Sequence, residues 1–172
     1  MITDPSHLGY ENKECLYDEN LSAKTSVTIS DLDGNADGEY VIEVHGAAAL
    51  TSDPYFTSTL SNSWVGSSLI WRTSTNPDDG DGVSSGRPLL GGGNNPDGSS
   101  HKIRMTARLT AKAGLNRWML IHYMARYTGY IGGFINYVMH DTDTTTNIVS
   151  LTLNFGGSFT GNVKLYRVLA KG

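Results

Sequence analysis

Two groups of carboxylates have the residue types of a hard-cation site. Asp31, Asp33 and Asn35, with Asp37 following, are spaced like the opening of a calcium-binding loop. An EF-hand loop needs Gly at its sixth position and a bidentate Glu at its twelfth, and here those positions hold Ala36 and Ile42. The flanks also alternate as strands do, not as helices. The preferred reading is a polar turn in which Asp and Asn satisfy their own backbone while Gly34 and Gly38 supply positive φ. Asp78, Asp79 and Asp81 around Gly80 form the second group, and both stay open as cation candidates beside the turn reading. Glu43 and His45 are two apart on an alternating segment, so they leave the same face and could pair for acid–base work. Neither a G-x-S-x-G nor an H-E-x-x-H pattern accompanies them, and an exposed polar face is the commoner meaning. The remaining histidines, His7, His101, His122 and His140, have no metal-ligand spacing, although His122 and His140 could meet across paired strands. Trp64, Trp71, Trp118, Tyr127 and Tyr130 could stack on sugar rings, but burial in a core or interface is the default for such side chains. Gly91-Gly92-Gly93 lacks the strand–loop–helix context and the Lys-Ser/Thr of a phosphate loop. Cys15, the single cysteine, excludes an intrachain disulfide and any multi-Cys metal site. No active site assembles from these residues: the expectation is a non-enzymatic protein with no cofactor.

The elements that would position these residues are strands. Ser26–Ser30 alternates with Val27 and Ile29 on one face, and 31–38 is turn-forming. In Glu39–His45, Tyr40, Ile42 and Val44 face one way while Val41, Glu43 and His45 face the other. Ser67–Thr73 is a weaker strand. His101–Thr110 places Ile103, Met105, Ala107 and Leu109 opposite Lys102, Arg104, Thr106 and Arg108. Trp118–Tyr127 has Met119, Ile121, Tyr123, Ala125 and Tyr127 as its inner row, and Phe134–His140 follows. Ile148–Phe155 would bury Val149, Leu151, Leu153 and Phe155. Asn162–Leu169 sets Val163, Leu165, Arg167 and Leu169 against Lys164, Tyr166 and Val168. Strands at this spacing, separated by Gly or Asp/Thr turns, predict an all-β chain, a jelly-roll-like antiparallel β-sandwich. Residues 1–24 lack a sustained period and are expected to form an extended N-terminal arm, with one helical turn near Asn12–Tyr17. The domain proper then covers 25–172, interrupted by a long loop at 74–100 with seven Gly and three Pro and a short edge segment at Arg87–Leu90.

Composition agrees with this class. The 172 residues fit one domain, and the apolar fraction of 38% is low because 20 Gly, 17 Ser and 17 Thr replace it rather than charge. A net charge of −4 without a basic block argues against general nucleic-acid binding. There is no run of 18 apolar residues, and the polar, acidic N-terminus does not have the character of a signal peptide, so no membrane partner is expected.

Two stretches resemble a known family. Thr145-Thr146-Asn147-Ile148-Val149-Ser150-Leu151-Thr152-Leu153, followed by Gly156-Gly157-Ser158-Phe159-Thr160-Gly161-Asn162-Val163-Lys164-Leu165-Tyr166-Arg167-Val168, is similar to the ending of many tailed-bacteriophage virion proteins: an "ITSLTL" strand, a Gly/Ser turn carrying a Phe, and a last strand with "LYR" or "LYG". Val27–Val44 is similar to that family's opening "I-S-x-L-D-G-x-x-D-G-x-Y" strand–turn–strand. Together the two cover about a third of the chain.

The resemblance implies a structural protein of a phage virion, made in the host cytoplasm, that decorates or cements the capsid or sits on the tail. Its partners would be further copies of itself, as a homotrimer, and the major capsid protein or another virion protein. A tail-associated module that binds a receptor or a host surface glycan is the alternative. On this reading the last two strands form a hairpin with Phe159 tucked over its Gly156–Gly161 turn, and Val27–Val44 forms the opening hairpin. The expected contact residues are Leu8, Tyr10, Leu16 and Tyr17 in the arm and Arg87, Leu89 and Leu90 in the long loop.

Overall fold

A computed structural model describes residues 12–51, 54–60, 64–72, 82–86, 100–127, 130–140 and 144–169; within 61–100 and 125–143 it gives the backbone path alone. The elements are β1 (Lys13–Ile29), α1 (Gly34–Asp37), β2 (Glu39–Leu50), β3 (Tyr55–Ser58), β4 (Trp64–Arg72), β5 (Gly82–Gly86), β6 (Ser100–Thr110), β7 (Arg117–Tyr127), β8 (Tyr130–His140) and β9 (Leu151–Val168). All the strands pair antiparallel, in one connected open sheet of order β1-β9-β2-β6-β7-β8-β4-β5, with β3 added along β9. The chain is all-β, as its alternation predicts.

The core follows the alternation. Tyr40, Ile42 and Val44 of β2, Ile103, Met105, Ala107 and Leu109 of β6, and Met119, Ile121 and Tyr123 of β7 are buried on one face. Leu151, Leu153, Phe155, Phe159, Val163 and Leu165 of β9 join the same cluster, as do Leu21 and Ile29 of β1 and Phe56 of β3. The β2–β6 and β6–β7 ladders run without a break, so two-residue periodicity maps directly onto inside and outside. Val41 is an exception: it lies on the outer face and is nonetheless buried, in register between Arg108 and Tyr166.

The sheet departs from the expected hairpins at its β1 edge. Residues 13–24 are not an arm apart from the sheet, and Asn12–Tyr17 contains no helical turn: pairing with β9 starts at Lys13 rather than Ser26. Most of these side chains are exposed on both faces, so β9's backbone, not an apolar row, holds them, and no alternation marks them. Val27–Val44 is not a hairpin either, because β9 lies between β1 and β2. Nor do the last two expected strands turn back on each other. Leu151–Val168 is one strand of 18 residues. The supposed turn is part of the ladder, with Gly157, Ser158 and Phe159 paired to Leu50, Ala49 and Ala48. Gly156, at φ 70°, gives the strand its irregularity without ending it.

Phe159 is fully buried, stacked on Phe155 with ring centroids 4.2 Å apart, and lies over the cross-strand pair Gly46–Gly161. A Cβ on Gly161 would come within 2.4 Å of the His45 carbonyl oxygen and 2.8 Å of the Phe159 ring, so the ring's place depends on both glycines. Val149, expected inside, is 45% exposed, and Ile148 is buried in its place because β9 begins only at Leu151. The Gly-rich 74–100 stretch contains a strand the composition hides, β5, paired to β4. The expected segment Arg87–Leu90 is outside the described residues.

Candidate functional site

The 31–38 turn is built from hydrogen bonds. Asp33 caps α1, its Oδ1 accepting from the Asn35 and Ala36 amides at 3.2 and 3.3 Å. Asn147, distant in sequence, donates from Nδ2 to the same Oδ1 at 2.9 Å and accepts from the Asn35 amide at 3.1 Å. Asn35 Oδ1 in turn accepts from the Ala113 amide at 2.9 Å. Backbone bonds from Leu32 to Val149 (3.1 Å) and from Gly34 to Ile148 (3.0 Å) complete the clamp. Gly34 is required by close approach: a Cβ there would stand 3.0 Å from the Ala111 carbonyl oxygen and 3.1 Å from Ile148 Cβ. The Asn147 donor, followed by the Ala36 and Asn35 amides, holds the Asp33 carboxyl below the usual carboxylate range. Asp37 accepts from Tyr40 Oη at 2.6 Å and from Arg167 at 3.0 Å, and Arg167 also pairs with Glu14 at 2.6 Å. Burial, then the bond to Asp37, pushes the Tyr40 phenol well up. Segments 27–44 and 145–168 are therefore locked together here. The carboxylates of the turn act as caps and anchors within the fold, and among the described residues no group of three or more His, Cys, Asp or Glu gathers as a metal site.

The outer face of the sheet holds the second arrangement. Antiparallel register puts Asp18, Lys164, Glu43, Thr106 and His122 in one row across β1, β9, β2, β6 and β7. Asn20, Asn162, His45, Arg104 and Met124 form the next row. Lys164 pairs with Asp18 at 2.8 Å, and Asn162 Nδ2 donates to Asp18, Glu19 and Asn20 on β1. Those two donors hold the Asp18 carboxyl low. Between the rows is a shallow depression of about 390 Å³ lined by Glu43, His45, Arg104, Thr106, Asn162 and Lys164. Glu43 and His45 do share the face, as their spacing predicts, but each stands opposite other partners in register and no hydrogen bond joins them. Arg108 pairs with Glu39 one step along. On β7, Trp118 is 49% and Met124 54% exposed, with Leu120 half-buried between them.

Of the expected contact residues, Leu16 is exposed on β1, and Tyr17 is half-buried against the core with its hydroxyl donated to Glu19. Burial and that bond push the Tyr17 phenol up to about 12. Leu8, Tyr10, Arg87, Leu89 and Leu90 are outside the described residues, as are His7, Asp78, Asp79, Asp81 and the 91–93 glycines; so are the side chains of Trp64, Trp71, Tyr127 and Tyr130. His101 is buried, and His122 and His140 do not meet, being opposite Ile135 and Arg117 in the register. Cys15 is exposed, its thiol donated to the Tyr17 carbonyl at 3.4 Å.

Sequence reasoning missed two residues. Asn147 lies in a run of threonines with nothing local to mark it, and its partner is identifiable only once both ends of the core are in place. Arg117 is fully buried at the head of β7 and donates to the Thr146 carbonyl, although the charge alone predicts a surface position. No protein-family model, curated protein or solved structure matches this chain.

Proposed function

We propose that this chain is a non-enzymatic structural protein of a phage virion, a capsid decoration or cement protein that stabilises the assembled shell as an oligomer. The observation that carries the reading is the clamp. The two stretches similar to virion proteins meet through Asp33, Asn35 and Asn147. The resembling residues thus perform one structural task together, as a shared scaffold would require. β3, the start of β9 and the end of β1 would make the smaller layer of a jelly-roll-like sandwich, and the remaining strands the larger. A subunit that binds only the assembled shell shifts the assembly equilibrium by mass action, and multiple copies raise one another's effective concentration. The charged and apolar outer face, with Leu16 at its edge, is suited to protein contacts. The alternative, a tail-associated receptor- or glycan-binding module, calls for exposed aromatics beside Asp and Asn. Trp118, the exposed Trp among the described side chains, instead shares its strand face with Leu120 and Met124.

Sedimentation of the purified protein with shells that lack it tests the proposal. Saturable co-sedimentation is expected. A protein left in the supernatant at all concentrations would end the decoration reading and turn attention to glycans.

A further inference from the structure

The chain's charge is unevenly distributed. Residues 99–140 contain Lys102, Arg104, Arg108, Lys112, Arg117 and Arg126 and no Asp or Glu, although the whole chain is at −4. Residues 12–51 contain the carboxylates Glu14, Asp18, Glu19, Asp31, Asp33, Asp37, Glu39 and Glu43 against Lys13 and Lys24. The sheet order sets these stretches side by side, because β2 is hydrogen-bonded to β6. The outer side chains of these two strands meet on one side of the depression, Glu43 on acidic β2 and Arg104 on basic β6, while β9 lines its other side with Asn162 and Lys164. Most charges nearby are already matched within the chain: Asp18 with Lys164, Glu39 with Arg108 and Glu14 with Arg167. Glu43 and Arg104 make no ion pair with a described residue, although they are diagonal neighbours across the β2–β6 ladder. Arg104 is exposed, and it stands in register between His45 and Met124.

We propose that this outer face binds a second copy of the same chain about a two-fold axis that lies in the plane of the contact, between β2 and β6, Arg104 of each copy reaching Glu43 of the other. A patch with an acidic strand beside a basic strand is its own complement when turned through 180° about an axis between them, which is the condition for a closed isologous dimer. The same rotation carries β7 over the partner's β9, so the exposed Trp118 and Met124 lose their water together. Trp, Met and Arg are the residue types enriched at protein interfaces. The outer faces of β9, β2, β6 and β7 offer roughly 600 Å² per copy from strand spacing and rise, close to the roughly 800 Å² per partner of a standard-size interface. The contact rests on this face alone and not on the virion reading. It gives a two-fold dimer, where the resemblance implies a trimer.

Sedimentation velocity on the full chain, with its designed variants, is the test. The unaltered protein is expected to sediment as a dimer that dissociates as salt rises. Arg104→Glu and Glu43→Arg should each weaken dimerisation at least tenfold, since each places like charges opposite one another. Mixed in equal amounts, the two variants should form a heterodimer, because every carboxylate of one then meets a guanidinium of the other. A folding defect in either variant could not produce that recovery. A wild-type monomer or trimer at all concentrations, or variants that stay monomeric when mixed, would overturn the proposal. Co-sedimentation of Arg104→Glu with shells, measured alongside, reports on the decoration reading separately. Shell binding by an unaltered protein that never dimerises would sink this contact and leave that reading standing.

Discussion

The ladder β2–β6–β7 and the pair β1–β9 are both antiparallel, yet they are built on different terms. In the first, register holds without interruption over the length of each pairing, and one face is a continuous apolar row. In the second, register shifts between Cys15 and Tyr17, between Leu21 and Lys24 and again before Ser26. Positive φ also appears at Ala23 (53°) and Gly156 (70°). Bulges of this kind bend and twist a strand. β9 illustrates the consequence: its first residues pair with β3 and the end of β1, and its later ones with β2 and the start of β1. The regular ladder supplies the largest share of the core, while the irregular pair lets one long strand serve both ends of it. Core alternation and strand continuity are therefore separate properties, and each is sensitive to a different kind of substitution.

The largest effect is expected where the irregular strand passes closest to its neighbour. Gly161→Val should abolish folding, because even its Cβ has no room beside the His45 carbonyl and the Gly46 Cα, 2.4 and 2.5 Å away. Backbone cannot give way there as a flexible side chain could. Soluble, cooperatively melting protein from this variant would show that β9 can detach from β2 at the glycine pair. Phe159→Ala comes next, with a loss of about 3–5 kcal/mol in denaturant unfolding, since the ring is fully buried over that pair. Met119→Ala, in the regular ladder, should cost about 2–5 kcal/mol and is the control. If it alone matters, the stacked rings on β9 are incidental. Deleting residues 1–20 should have a milder outcome: a lower melting midpoint with the cooperative transition kept, because Leu21 and Ile29, which β1 contributes to the core, remain. A melt without a cooperative step would place the start of β1 inside the folding unit.

The same division decides how much was legible in the sequence. The inner rows of β2, β6 and β7 can be read from alternation because burial on one face imposes a period of two. The start of β1 cannot, since polar side chains such as Glu14, Asp18 and Asn20 are exposed while backbone alone secures them. The Gly156–Gly161 stretch has the composition of a turn, and at the sequence level a turn and a bulged ladder that makes room for Phe159 look the same. For the site, Glu43 and His45 were found on one face by spacing. Arg104 as their neighbour depends on a register between segments about sixty residues apart in sequence. The polar turn was legible, and Gly38 has its expected positive φ, but Gly34 lies within α1 and does not; the clamp was not legible, because Asn147 is brought to Asp33 only by the closing of the whole sheet.

The clamp gives the smallest effect and the sharpest check on whether the two ends of the core are joined as described. Asn147→Ala should lower the unfolding midpoint slightly, since it removes a hydrogen-bonded partner of an exposed carboxylate. The acid limb should change with it. The Asp33 carboxyl is held below its usual range by Asn147 first, so its folded pKa lies under the unfolded value of about 3.9. A group lowered in this way stabilises the fold above about pH 4, and the contribution is lost as pH falls through the folded value. Asp18 is lowered as well and titrates in the same window, so the difference between variants carries the information. Unfolding midpoints measured from pH 5 to pH 2 should fall less steeply for Asp33→Asn than for the unaltered chain. In the Asn147→Ala background, Asp33→Asn should change that slope much less. Equal changes in both backgrounds would mean that the Asp33 carboxylate gains its stabilisation from the α1 cap alone, and that the clamp contributes nothing through charge.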